Sequence, residues 1–352
     1  MKNTCEEIIV KDKRKRSKKS LSLKNLSLIW LETVETRVKE SSHARYRHIV
    51  NKYIVPQLGG GTVSGLTEQR VTQFISALLS NGSRHSVCGL SPKTVSDIFI
   101  VLKAILKYGV KANGIPALDL SDIMIVKPEN TIRIFTREEF SKLNRFLQND
   151  TDNVKLGVLI CLYTGVRIGE LCAMKWENIN VDEGFIQITN TLQRIQAEES
   201  SGARTKIIIT SPKSSSSLRD IPIPASLLPL LKECPENTDY AYFLTGREDS
   251  YMEPRTVQNR FKSYLETLGI EDANFHALRH TFATKCVELG FELKCLSEIL
   301  GHSNVNITLN KYIHPSFDLK RKNMDKLSAL SGSLPQRVNF QNRGSLESEL
   351  VK

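Results

Sequence analysis

The residue types best suited to chemistry lie in the second half of the chain, and the argument about them turns on a tyrosine. In LGHSNVNITLNKYIH, Leu300 to His314, Gly301 follows an amphipathic segment (Leu293, Leu296, Leu300) and sits where a left-handed cap would end a helix. Ser303 or Asn304 can then cap a short helix on which Val305, Leu309 and Tyr312 recur at i, i+4 and i+7. Tyr312 is therefore expected to face inward near the end of its helix. Such a position usually means core packing, and a phenol is a poor nucleophile unaided. With an ordinary pKa near 10, about one in a thousand is ionised at pH 7, so nearby cations and a proton acceptor must assist it.

Companions of the required kind are present. TGVRIGEL carries Arg167 and Glu170, SPKSSSSLRDIPI carries Lys213, HALRH carries His276, Arg279 and His280, and LGH carries His302. Attack on a phosphodiester builds negative charge on the non-bridging oxygens, and guanidinium forks meet those oxygens with paired hydrogen bonds while keeping their charge. Arg167 and Arg279 fit that task. His276, Arg279 and His280, at i, i+3 and i+4, share one helix face, opposite Phe275, Leu278 and Phe282. Glu170 most simply orients the catalytic groups by ion pairing; its plainer role is a first-turn acid satisfying the helix dipole.

The elements that must position these groups read as mostly helical. Leu23, Leu26, Trp30, Val34 and Val38 fall on one face, a second helical stretch runs from Ala44 to Ile54, a third from Thr67 to about Leu79, and Ser91-Pro92 starts a fourth. They predict a four-helix bundle over residues 21–112, after a basic tail at 1–20. Arg45, Arg47, Lys93 and Lys103 are its leading candidates for DNA contact, with solubilising charge as the plainer reading. Residues 113–130, with Gly114, Pro116 and Pro128, read as an interdomain linker. A second domain, 131–330, opens with a capping box at Thr136 and Glu139. It carries three short strands (Phe185 to Thr189, Lys206 to Thr210, Leu218 to Ile223), the last two joined by a Ser, Pro and Lys loop. Helices follow at Ser226 to Glu233, Pro254 to Leu268, Phe275 to Leu289 and Leu293 to Leu300. The fold class is thus mainly α with a small antiparallel sheet, ending in a polar tail at 331–352.

Bulk properties narrow the setting. A length of 352 residues allows about two domains, and 40% hydrophobic content suffices for packed cores. The net charge of +11 favours a polyanionic partner, although Lys11 to Lys19 alone holds seven bases against one acid. No apolar run is long enough for a membrane span and the N-terminus develops no signal-peptide core, so an intracellular location is expected. Seven cysteines without a CxxC pair argue for buried free thiols over disulfides or a zinc site. HExxH and GxxxxGK motifs are both absent, so no metal or nucleotide cofactor is expected.

The four fragments, in this order and spacing, resemble the tyrosine recombinases, the phage-type and transposon-type integrases. The likeness covers the second domain fully, and the bundle before it looks like the family's core-binding domain. The resemblance implies a site-specific recombinase that cleaves duplex DNA through a covalent 3′-phosphotyrosyl link to Tyr312 and reseals it without ATP. It assigns His276 and His302 to the phosphate and its protons, and Lys213 to general-acid work on the 5′ oxygen, with Lys206 as the alternative because the loop is longer and serine-rich. His280 is expected to be structural and hydrogen-bonded. The likeness further implies no cofactor and a homotetramer on two duplexes, with a possible accessory DNA-bending factor and a cytoplasmic, nucleoid-associated location. Integration or excision of a mobile element is the leading role. A tail of about 20 residues cannot supply an arm-site domain, which keeps chromosome-dimer resolution close; a type IB topoisomerase or an inactive DNA-binding relative stand further off.

Overall fold

Among the described residues, one apolar core lies in the N-terminal helices, and a larger core and a small satellite of Ala283, Cys286, Leu296 and Leu300 lie in the second half of the chain. The computed structural model describes residues 21–81, 89–128, 132–198, 202–212, 215–234, 238–312, 320–321 and 324–329. The tails at 1–20 and 331–352 and the loop residue Lys213 lie outside them, as does the side chain of Tyr312.

The stripe beginning at Leu23 starts a helix because the Ser22 side chain accepts a hydrogen bond from the Asn25 N–H, a donor with no partner inside the helix. This helix, α1 (Leu23–Glu35), buries Leu23, Leu26, Trp30 and Leu31. The next, α2 (Glu40–Ile49), continues through a π-helical turn, Val50–Ile54, into α3 (Val55–Leu58). The turn widens just ahead of Pro56, which has no N–H to give and whose ring crowds the carbonyl four residues back. Then α4 (Glu68–Asn81) and α5 (Pro92–Asn113) complete the bundle, α5 opening on the Ser91 cap and ending at Gly114 with φ 63°. The expected linker departs from expectation in one respect. Between Ile115 and Ile125 it forms no helix or strand, yet Ile115, Leu118, Leu120, Ile123 and Ile125 pack on the bundle core. Glycine and proline remove its periodicity without freeing its apolar side chains from that core.

In the second domain α6 (Arg137–Gln148) begins with the expected reciprocal cap. Thr136 Oγ1 accepts from the Glu139 N–H at 3.2 Å and Glu139 Oε2 from the Thr136 N–H at 2.8 Å. The central helix α7 (Asn153–Thr164) is apolar nearly all round and buries Leu156, Val158, Leu159, Ile160, Cys161 and Leu162; α8 (Ile168–Ala173) follows.

The strands are β1 (Ile179–Asn180), β2 (Phe185–Ile188), β3 (Thr191–Gln196), β4 (Thr205–Thr210) and β5 (Arg219–Pro222). They form two antiparallel sheets, β1-β2-β5 and the hairpin β3-β4. Thus β5 does not pair with β4, its neighbour in sequence, but with β2, Ile186 standing opposite Ile221. That register puts Ile186, Ile188, Ile221 and Ile223 into the main core. Two strands escaped the sequence reading: β1 is only two residues long, and β3 carries Gln193, Arg194 and Gln196. The remaining helices are α9 (Leu228–Lys232), α10 (Pro254–Leu268), α11 (His276–Glu288), α12 (Leu293–Leu300) and α13 (Val305–Tyr312). Among the described residues no helix is long and apolar enough to cross a membrane.

The two domains touch where α2 meets the β3-β4 hairpin. Lys39 Nζ donates to the carbonyls of Ser211 (2.8 Å) and Pro212 (2.7 Å), and Arg47 lies 3.7 Å from Glu198. Lys206, the alternative to Lys213, holds Glu40 at 2.6 Å.

Candidate active site

The site is built on two helix ends. Gly165 after α7 and Gly301 after α12 both take the left-handed conformation, with φ 68° and 62°. A Cβ at Gly165 would lie 2.7 Å from Phe282 Cδ1, and one at Gly301 would lie 3.0 Å from Arg219 Nη1. Neither place admits another residue without a shift. Chain reversal there directs carbonyl oxygens, the negative ends of both helices, at one spot.

Three arginines take up those carbonyls in sequence. Arg219 Nε donates to Ile299 O at 2.7 Å, Arg279 Nη2 to Leu300 O at 2.5 Å, and Arg167 Nη2 to Gly301 O at 3.1 Å. Arg279 Nη1 also reaches Gly165 O at 2.6 Å, so a residue only 2% exposed keeps its charge solvated by peptide dipoles. Arg279 therefore lies among core residues of α11 and not on an open face. His276, on the same side of the helix, is exposed, and His280 is half-buried with its ring 4.5 Å from that of His276 in an edge-on arrangement.

Glu170, 3% exposed, holds the arginines from behind. Its Oε1 accepts from Arg167 Nη1 (2.8 Å) and Arg219 Nη1 (3.1 Å), and its Oε2 from Arg219 Nη2 (2.9 Å) and the Arg167 N–H (3.0 Å). Burial pushes the Glu170 carboxyl upward, but the hydrogen bonds and charge of Arg219, then Arg167, outweigh it and keep the group below the usual carboxylate range. It is an anion that fixes where Arg167 points. The Arg167 side chain is one-third exposed and can meet a ligand.

His302 is fixed in both position and tautomer. Its Nε2 lies 3.0 Å from Arg279 Nη2, which can only donate, so Nε2 accepts, and Nδ1 carries the proton it gives to the fully buried Thr308 Oγ1 at 2.8 Å. Thr308 is on α13, the helix whose last residue is Tyr312.

Of the expected residues, hydrogen bonds join Arg167 to Glu170 and Arg279 to His302, and the two pairs form one network through the adjacent carbonyls of Leu300 and Gly301. His276 and His280 share Arg279's helix, α13 reaches Tyr312, and Lys213 falls outside the described residues. Sequence reading missed Arg219 and Thr308. A signal for Arg219 existed: it shares the inward parity of β5 with Ile221 and Ile223, an odd place for a charge. The DNA-contact candidates lie elsewhere. Arg45 pairs with Asp97 at 2.5 Å, Arg47 approaches Glu198, Lys93 is exposed, and Lys103 sits 4.4 Å over the Phe99 ring. Cys161, Cys172 and Cys286 are free and buried; burial raises Cys161 well above a normal thiol and pushes Cys172 and Cys286 to about 12. Among the described residues no group of three or more His, Cys, Asp or Glu could hold a metal ion.

The phage integrase family model matches residues 133–318, which includes every residue of this network. The chain belongs to the phage integrase family. A second model, the phage integrase N-terminal SAM-like domain, matches residues 22–79. This family member is therefore a tyrosine recombinase, an enzyme that cleaves and rejoins DNA. It is 28% identical to a XerC-like tyrosine recombinase of Caldanaerobacter subterraneus subsp. tengcongensis, over 84% of this chain and 79% of that protein. It is 23% identical to the ICEBs1 integrase of Bacillus subtilis, over 91% and 86%. In fold it resembles the Tn1549 transposon integrase in complex with a circular intermediate DNA, with TM-score 0.69 and 21% identity over 88% of this chain and all of the other. A lambda integrase tetramer bound to a Holliday junction gives TM-score 0.61 at 16% identity, over 86% and 80%.

Proposed function

We propose that the chain cuts and reseals specific duplex DNA sites, with Tyr312 as nucleophile and Arg167 and Arg279 as ligands of the scissile phosphate. The observation that carries this reading is the pair of guanidinium groups anchored on adjacent carbonyls, Leu300 and Gly301, at the turn that leads through His302 into the helix of Tyr312. The Tyr312 oxygen attacks phosphorus, the 5′ oxygen leaves, and a 3′-phosphotyrosyl ester remains. Because one phosphate ester replaces another, a 5′-hydroxyl can reverse the step without ATP. Arg167 and Arg279 hold the charge that grows on the non-bridging oxygens. His276 and His302 act on the phosphate and its protons, His302 through an Nε2 that exchanges Arg279 for the ligand, while Lys213 supplies the proton that the 5′ oxygen needs. Glu170 orients Arg167, and His280 supports His276.

Arg45, Arg47, Lys93 and Lys103 of the bundle contact the DNA backbone. The working assembly is a homotetramer on two duplexes, and the location is cytoplasmic at the nucleoid. Integration or excision of a mobile element is the favoured role, supported by likeness to the ICEBs1 and Tn1549 integrases. The XerC-like relative supports a second reading, resolution of chromosome dimers. The deciding measurement for the chemistry uses a nicked suicide duplex of the cognate site. Tyr312→Phe is expected to bind it as the wild type does and form no covalent adduct; an adduct on that variant would remove Tyr312 from the reaction.

A further inference from the structure

The third arginine of the cluster has no part in the chemistry just described, yet it is the most completely enclosed partner of Glu170. The Arg219 side chain is 6% exposed. It donates to both carboxylate oxygens of Glu170, to Ser217 O at 3.0 Å and to Ile299 O at 2.7 Å. It also packs directly beneath Gly301, whose carbonyl holds Arg167. One guanidinium thus ties β5 to the two supports of Arg167, the carboxylate of α8 and the terminal turn of α12.

We propose that Arg219 is a positioning residue for cleavage: by pairing with Glu170 from the β5 side, it holds that carboxylate against Arg167 and keeps the Arg167 guanidinium turned toward the phosphate. The proposal rests on the reading of Arg167 as a phosphate ligand. The charge arithmetic is simple. Glu170 is almost fully enclosed, and burial alone would favour its neutral form. Arg219 is the larger of the two influences that hold it charged, Arg167 the smaller. The groups facing Glu170 are Arg167 at the start of α8, Arg219 on β5 and Cys161 on α7, with Arg279 beyond them on an α12 carbonyl and His302 against Arg279. Cys161 stays a neutral thiol, so without Arg219 the carboxylate has Arg167 alone. Protonation of Glu170 would then release Arg167 from the geometry that its backbone and side-chain bonds now impose.

The test is the rate of covalent adduct formation on the nicked suicide duplex, measured from about pH 5 to about pH 8.5, the range into which buried carboxylates rise. Arg219→Met is expected to be about tenfold or more slower near neutrality, the order of loss seen when an outer partner of a contacting group is removed. It should also gain a limb, absent from the wild type, on which the rate rises with pH as Glu170 ionises. Glu170→Gln combined with Arg219→Met removes the titrating group and should abolish that limb. Wild-type and Arg219→Met profiles of the same shape would overturn the proposal. Folding is checked by binding to the cognate site. Should Arg219→Met fail to bind, Arg219→Lys decides: its retained charge should preserve the wild-type profile at a lower rate, because one ammonium cannot replace the fork on Ile299 O and Glu170 together. A new pH-dependent limb in Arg219→Lys, despite its retained charge, would also overturn it. Arg167→Ala, run alongside, separates the two levels, since normal cleavage by that variant would remove the reading of Arg167 itself and not the pairing of Arg219 with Glu170.

Discussion

The cation cluster at the ends of α7 and α12 and the basic surface of the N-terminal bundle use the same side chains in opposite ways. In the cluster, Arg167, Arg219 and Arg279 each spend several donors on fixed carbonyls or on Glu170, and Arg279 is almost wholly enclosed. In the bundle, the exposed Arg45 meets one half-buried acid and Lys103 lies over one ring. Buried and multiply held, a cation has a direction; exposed and singly held, it has only a charge. The first arrangement suits a reaction whose charge appears at a defined point, the second a long polyanion that can be met in many registers.

That contrast can be broken by experiment. Arg279→Ala takes away the most enclosed member, and about a hundredfold to a thousandfold loss of cleavage is expected, as for removal of a preorganised charge-stabilising donor. Near-normal cleavage rates would reduce the cluster to scaffolding. Glu170→Gln unmatches a buried pair and should cost on the order of 3 kcal/mol of stability at neutral pH, read by urea unfolding. The sign follows from the depressed folded pKa: the stability from Glu170 is present above the unfolded carboxylate range and is lost as pH falls through the lower folded value. Wild type and variant should therefore converge in acid, and a gap that stayed constant to low pH would contradict the assignment. In the bundle, Lys103→Ala should weaken DNA binding only a few-fold and lower the salt slope by about 0.9. A loss of cleavage with binding intact would move Lys103 into the directed class.

The same contrast explains what could be read from the chain alone. Helix starts at Ser91-Pro92 and Thr136, and the stop at Gly301, are written in local chemistry that tertiary packing leaves unchanged. Arg167, Glu170, Arg279 and His302 stood out because their spacing within short fragments survives folding. Arg219 did not, because its meaning depends on β5 pairing with β2, a choice made by Ile186 and Ile221 across the core and not by its neighbours in sequence. The hairpin strand β3 was obscured by Gln193, Arg194 and Gln196, and the linker's apolar residues gave no periodic sign of the core they cover.

One consequence lies in how the halves of the molecule are joined. Glu40 and Lys206 are about half exposed, and such pairs contribute roughly 0.2–1 kcal/mol each and weaken in salt. This ion pair loosens as salt rises, while the apolar clusters on either side of the seam are closed separately.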